Sequence, residues 1–229
     1  MPLDPQVAAH YAAQRAASDV FRAASITDIR KNADLTYNDR KKSPPVFAVE
    51  DTAVPGPCGG IPIRLYTPGD RGPYPVPLYY HGGGFVMHNI ASHDSLCRQL
   101  CNVCGCVVVN VGYRLAPEDP YPACMEDGYT VLQWVHDNGA LRGMDPARIA
   151  LAGDSAGANI SAVVSLLARD RLGPEIGLQV LCYGCYGCLA DQDSASMQAF
   201  SKGGYVLPRE FLDLITKLYV QDRTGPEDP

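Results

Sequence analysis

Hydrophobic and polar positions along the chain follow two rhythms, with the change near residue 75. Before it, "VFAVEDTAV" (46–54) and "IPIRLYTPG" (61–69) alternate apolar and polar residues on either side of "PGPCGG". That pattern predicts an antiparallel pair of strands. After it, short unbroken apolar runs alternate with amphipathic stretches. "PLYY" (77–80), "CVVVNV" (106–111), "RIALAG" (148–153) and "LQVLCY" (178–183) read as strands buried on both faces. Helices are expected over 92–104, 124–137 and 156–170. Met125, Tyr129, Leu132 and Val135 share one face of the second, while Ile160, Val163, Val164 and Leu167 recur at helical spacing in the third. The alternation predicts an α/β fold, a mostly parallel sheet with helices on both faces.

The flanks read differently. Residues 1–45 are polar, Ala-rich and predicted helical until "DRKKSPP", whose prolines stop a helix. They form one accessory segment, 46–190 the core and 191–229 a second accessory segment. Within the last region "ADQDSASMQAFSKGGY" (190–205) reads as loop. Pro208 to Val220 reads as a helix with Phe211, Leu214, Ile215 and Leu218 inward. "LQVLCY" is the final strand pattern, so its outer edge is expected to be apolar and open, which predicts self-association.

Composition narrows the functional classes. The 229 residues are 46% hydrophobic and 19% charged, enough for one well-buried core. A net charge of −6 without a Lys/Arg cluster argues against nucleic acid as a partner. No apolar run reaches the ~20 residues that span a bilayer, and "MPLDPQVAAHYAAQRAASDVFRAA" lacks the pattern of a secretory signal. The expected location is therefore cytoplasmic and reducing, with the nine cysteines as thiols or ligands. Two clusters, Cys101, Cys104 and Cys106, then Cys182, Cys185 and Cys188, invite a metal reading. Because Cys97, Cys101 and Cys104 share a helical face and Cys182 ends an apolar run, small buried side chains are the simpler account, and no metal is assigned.

Chemistry concentrates in two motifs. "GDSAG" (153–157) puts Ser155 in a G-x-S-x-G setting between a predicted strand and a predicted helix. That junction pushes a serine hydroxyl into a strained, exposed position. Alone the motif is weak, arising by chance in about one such chain in ten. "HGGGF" (81–85) follows another predicted strand and should arise by chance in well under ~1% of such chains. Acyl transfer places negative charge on an oxygen, and glycines let bare backbone N–H groups approach it. The N–H of Ala156, at a helix N-terminus, points to the same place.

Together with "SHDSLCRQL", "VGYRLAPEDPYPA", "DPARIALAGDSAGAN" and "SLLARDR", these motifs resemble the hormone-sensitive-lipase-like branch of the α/β-hydrolases, from near residue 1 to 229. The resemblance implies a cofactor-free esterase acting on small to medium carboxylic esters. Ser155 would be the nucleophile, and Gly83, Gly84 and Ala156 the oxyanion donors, with Gly82 in the same oxyanion-hole turn. His81 would orient that loop, and 1–45 and about 190–222 would cap the pocket. Three departures stand out. His88 and Asn89 occupy positions where the family has a Gly and an acidic residue, the second cysteine cluster replaces an apolar-Tyr-Pro strand end, and the family's catalytic Asp and His, with its last two strands, fall beyond residue 229. The chain thus reads as truncated.

All five histidines precede Ser155, so a base is not obvious. His136 reads as a solvated helix residue, His93 as a helix-start or packing residue and Asp154 as structural. Glu118 and Asp119 read as pocket support, and Tyr113 and Arg114 as packing or ion-pair groups. His88 is the candidate nearest the glycine loop. Three classes stay open: a crippled esterase, a non-catalytic small-molecule binder on the same scaffold, and a cysteine metal module.

Overall fold

The hairpin forms as the alternation requires. In the computed structural model, which describes residues 4–9, 25–37, 43–186, 194–200, 207 and 209–221, β1 (Ala48–Gly56) and β2 (Gly59–Thr67) pair antiparallel from Ala48–Thr67 to Gly56–Gly59. Four further strands follow: β3 (Tyr74–Tyr80), β4 (Val108–Val111), β5 (Met144–Asp154) and β6 (Leu178–Cys182). They make one six-stranded sheet in the order β1-β2-β4-β3-β5-β6. β2 pairs antiparallel with β4, and β3, β4, β5 and β6 run parallel, so the sheet is mixed, with its parallel part carrying the site.

Side-chain alternation along the strands sorts the core into two layers. Val76, Leu78 and Tyr80 join Val109, Val111 and Leu151 on one face. There α3 (Ala123–Asn138) contributes Met125, Tyr129, Leu132 and Val135, and α4 (Ala156–Asp170) contributes Ile160 and Val164. Tyr79, Val108 and Ala152 face the other way, against Cys97 and Cys101 of α2 (Asp94–Cys104). Both faces are thus covered, the arrangement that parallel strands need.

Several expectations change. β5 begins at Met144 rather than at residue 148, because the pairing passes from Tyr74–Met144 to Val76–Ile149 across an irregular stretch in which Asp145 accepts from Ala147 N–H and Arg148. The stretch 190–205 is not loop throughout: a short helix, α5 (Ala195–Phe200), lies within it. Cys97, Cys101 and Cys106 are buried as expected, whereas Cys104, Cys182 and Cys185 are exposed and Cys188 lies outside the described residues. Cys104 is the last residue of α2, followed by left-handed Gly105, and Cys182 ends an edge strand. Of the first accessory segment, α1 (Ile26–Tyr37) and residues 5–9 are helical, while 10–24 lie outside the described residues. The last helix, α6 (Arg209–Val220), buries Phe211 and Tyr219 and half-buries Leu214, Ile215 and Leu218.

β6 forms an edge of the sheet. Leu178 and Val180 stand 58% and 45% exposed on it, followed by exposed Tyr183 and Tyr186. No helix of the described residues is long and apolar enough to cross a membrane.

Candidate active site

The carboxyl ends of β3, β4, β5 and β6 converge, the side of an open parallel sheet where crevices form. Ser155 sits there between β5 and α4, with φ +50 and ψ −120. A left-handed φ on a serine is strain of about 1–3 kcal/mol, held only where the surroundings dictate it. Here glycines on both sides let backbone crowd the turn. A Cβ on Gly157 would run into the Tyr80 carbonyl and come within 2.8 Å of the His81 carbonyl oxygen, and one on Gly153 would strike the Gly157 backbone. The Ser155 N–H donates to the Cys182 carbonyl at 2.9 Å, pinning the turn to the end of β6.

The glycine loop leaves β3 beside it. Gly83 and Gly84 take φ of +131 and +60, which only glycine adopts without strain. Val86 and Met87 N–H both donate to the Gly83 carbonyl at 3.1 Å, closing a tight turn. A Cβ on Gly82 would strike the Asp154 carboxylate and lie 2.9 Å from its carbonyl, so loop and serine turn are in contact. The Gly82 N–H is committed to Asp154 Oδ1 at 3.0 Å. The N–H groups of Gly83, Gly84 and Ala156 have no acceptor among the described residues, and Ala156 is the first residue of α4, where the helix dipole is positive.

Asp154 ties these parts together. Its Oδ1 accepts from the Tyr79 hydroxyl at 2.7 Å and from Gly82 N–H, and it lies 3.2 Å from His93 Nε2. A carboxylate only accepts, so the proton of that pair sits on Nε2. Burial works to raise the Asp154 carboxyl, yet His93, Tyr79 and Gly82 hold it below the usual carboxylate range. His81 is buried, its Nδ1 at 2.8 Å from the Gly82 carbonyl and its ring stacked on Tyr113 at 4.3 Å. Burial pushes its pKa down to about 3, so it is neutral at pH 7. The Tyr113 hydroxyl donates to the His81 carbonyl at 2.6 Å.

Two accessory helices reach this corner. From α1, Arg30 donates through Nε to the Val86 carbonyl at 2.7 Å and through Nη2 to the Ala116 carbonyl at 2.8 Å, while its guanidinium forks onto Glu118. From α6, Ile215 lies over Gly84, 3.0 Å from where a Cβ would stand, and Tyr219 stacks on Phe85 at 4.0 Å. A cleft of about 350 Å³ opens beside the loop, lined by Arg30, His88, Asn89, Leu115, Glu118 and Asp119.

The other sequence candidates are accounted for individually. His136 is exposed on α3 and pairs with Asp137. His93 stands at the N-terminal boundary of α2 without capping it, its ring turned to Asp154 and Ser92 instead. Arg114 forks onto buried Asp127 and lies 3.6 Å from Asp119. His88 takes φ +70, a conformation suited to the Gly that the resemblance places there, and forms one wall of the cleft. Burial lowers its pKa to about 4. No hydrogen bond joins a described histidine to the Ser155 hydroxyl, and His10 lies outside the described residues. Among the described residues no group of three or more His, Cys, Asp or Glu could hold a metal ion.

Sequence reasoning missed the Asp154–His93 pairing, the Arg30 clamp and the placement of Ile215 over Gly84. Each joins residues distant in the chain, and no local spacing announces it.

Comparisons with known proteins fit this geometry. A family model described as the alpha/beta hydrolase fold matches residues 77–229. The esterase LipI of Mycobacterium tuberculosis is 49% identical over 142 residues, 61% of this chain and 44% of that protein. An arylesterase of Saccharolobus solfataricus is 30% identical across 100% of this chain and 74% of its own length. The solved structure of a hyperthermophilic esterase from Pyrobaculum calidifontis superposes with a TM-score of 0.89 at 38% identity, covering 96% of this chain and 71% of that one. The chain spans about half the length of the Mycobacterium tuberculosis esterases it matches.

Proposed function

Since the chain belongs to the α/β-hydrolase family, with esterases among its relatives, we propose that Ser155 is the nucleophile of a carboxylic ester hydrolase. The observation that carries the reading is the strained Ser155 turn packed against a glycine loop with three unengaged amides nearby. In this reading Ser155 Oγ attacks the ester carbonyl to give an acyl-enzyme, and Gly83, Gly84 and Ala156 N–H groups hold the oxyanion. Gly82 belongs to the same turn, but its own amide serves Asp154. His81 orients the loop through its ring contacts, and no cofactor takes part. Segments 1–45 and 191–229 act as a cap over core 46–190. The apolar cover of Ile215, Phe85 and Tyr219 over Gly84 supports a small to medium acyl group.

Without a histidine on Ser155 among the described residues, these 229 residues should turn over slowly. Oxyanion stabilisation and binding leave ~10³–10⁴ over water, roughly 10⁶ below a complete triad. A covalent readout is therefore the right test. An activated alkyl phosphonate should add slowly to the tryptic peptide 149–169, and Ser155→Ala should abolish the adduct. Label elsewhere, or unchanged label in the variant, would remove the assignment. Saturable binding of a fluorescent ester without any adduct would favour the non-catalytic binder, which the lack of a histidine on Ser155 among the described residues also supports.

The open edge of β6 supports self-association between copies. Size-exclusion chromatography should show mass rising with concentration, and a clean monomer at every loading would refute it. Eight thiols among the described residues support a reducing, cytoplasmic setting.

A further inference from the structure

Two exposed cysteines sit where the backbone of the serine turn is tied down. Cys182 ends β6 and Cys185 follows in "CYGC". Ser155 N–H donates to the Cys182 carbonyl at 2.9 Å. Asn159, one turn further along α4, grips Cys185 from both sides: its Nδ2 donates to the Cys185 carbonyl at 3.0 Å, and its Oδ1 accepts from Cys185 N–H at 2.8 Å. Cys182 and Cys185 are separated by two residues, the C-x-x-C spacing found in redox dithiols. Between the two, Tyr183 adopts φ +42 and is followed by Gly184, a left-handed kink that turns the chain back towards α4.

The remaining thiols among the described residues are differently placed. Burial pushes Cys101 up to about 11 and Cys106 and Cys124 up to about 12, and holds Cys97 well above its ordinary value, so none supplies thiolate near pH 7. Cys58 lies in the β1–β2 turn beside Arg114, and Cys104 ends α2.

We propose that Cys182 and Cys185 form a redox-active dithiol, a modification site that peroxides oxidise to an intrachain disulfide, and that closure of this bond is felt at Ser155. In the first step one thiolate sulfur attacks a peroxide oxygen. The O–O bond breaks, water leaves after protonation, and a sulfenic acid forms. In the second step the other thiolate attacks that sulfur, the S–O bond breaks, and a second water leaves. Two thiols and one hydrogen peroxide thus give one disulfide and two waters, the thiols supplying both protons and both electrons. The new bond stiffens residues 182–185, whose carbonyl and amide are the partners of Ser155 and Asn159. The inference does not depend on ester chemistry, since its readouts are thiol chemistry and amide exchange.

The test treats the full chain with a small excess of hydrogen peroxide. Two of the nine thiols should disappear, with a loss of about 2 Da, and peptide mapping should find Cys182 joined to Cys185. A Cys182→Ser/Cys185→Ser double variant should lose none at that dose. Hydrogen exchange should show the Ser155 amide protected about tenfold more in the oxidised protein. Linkage to Cys58, Cys104 or Cys188 instead, or equal thiol loss in the double variant, would overturn the site. Unchanged exchange at Ser155 would overturn its coupling to the serine. Because the linkage map uses the unaltered protein, the proposal stays falsifiable even if the variant folds poorly.

Discussion

Replacing Gly157 with alanine should cost about 3 kcal/mol or more of stability, enough to unfold a marginal domain. The added methyl would enter the Tyr80 carbonyl, 2.6 Å from its carbon and 2.8 Å from the His81 oxygen. These are backbone atoms at the end of the central strand β3, so no rotamer change relieves the clash. Only α4 can give way. Backing it off the sheet would stretch the Ser155–Cys182 bond and the Asp154 contacts, because both lie within three residues of the new methyl. Gly177→Ala is the matched control: its nearest neighbour would be Ile149 O at 3.6 Å, ordinary contact, and the change should stay within about 0.5 kcal/mol. Urea unfolding of both variants measures the difference, and equal midpoints would show that the helix entry is looser than the packing implies.

Acid should destabilise the protein well before carboxylates protonate. His81 is buried and depressed to about 3, and His88 to about 4, both chiefly by burial. A histidine near 6.5 when unfolded but far lower when folded favours the native state fully above about pH 6.5. As pH falls the unfolded chain gains the proton first, and the advantage drains by about 1.4 kcal/mol per pH unit for His81 until its folded value is reached. His88 adds a loss of the same sign. Asp154, held below its ordinary range, keeps its contribution until lower pH, so it does not confuse the window. Urea midpoints between about pH 7 and about pH 4.5 should therefore fall steeply. A flat profile would mean that these rings are hydrated in solution.

The parallel half of the fold was legible because its strands are buried on both faces, which gives unbroken apolar runs, and its helices keep a strict apolar stripe. The helix 156–170 and the pairing of residues 48–67 emerge where the periodicities put them. Legibility fails where local composition and tertiary context disagree. "MDPA" reads as a turn, yet Met144 still pairs with Tyr74 before the irregular stretch. "ASMQAF" is too short to announce a helix. Cys104 lies on the predicted apolar face, but as the last residue of α2 it is exposed. At the site, the glycine loop and the serine turn were readable because each is a local backbone demand. The pairing of His93 with Asp154 was not, since it depends on α2 and β5 meeting across the sheet.

That shared carboxylate has a mechanical consequence. Hydrogens from β3, from the glycine loop and from the start of α2 all end on one oxygen of Asp154, the residue before Ser155, so the proposed nucleophile and its proposed amide cradle travel as a single piece. Pulling the cradle outward to admit a bulkier acid would drag the hydroxyl with it. On the proposed reading, room for bulkier esters comes instead from trimming Ile215 or loosening the grip of Arg30, while the Ser155 corner keeps its shape.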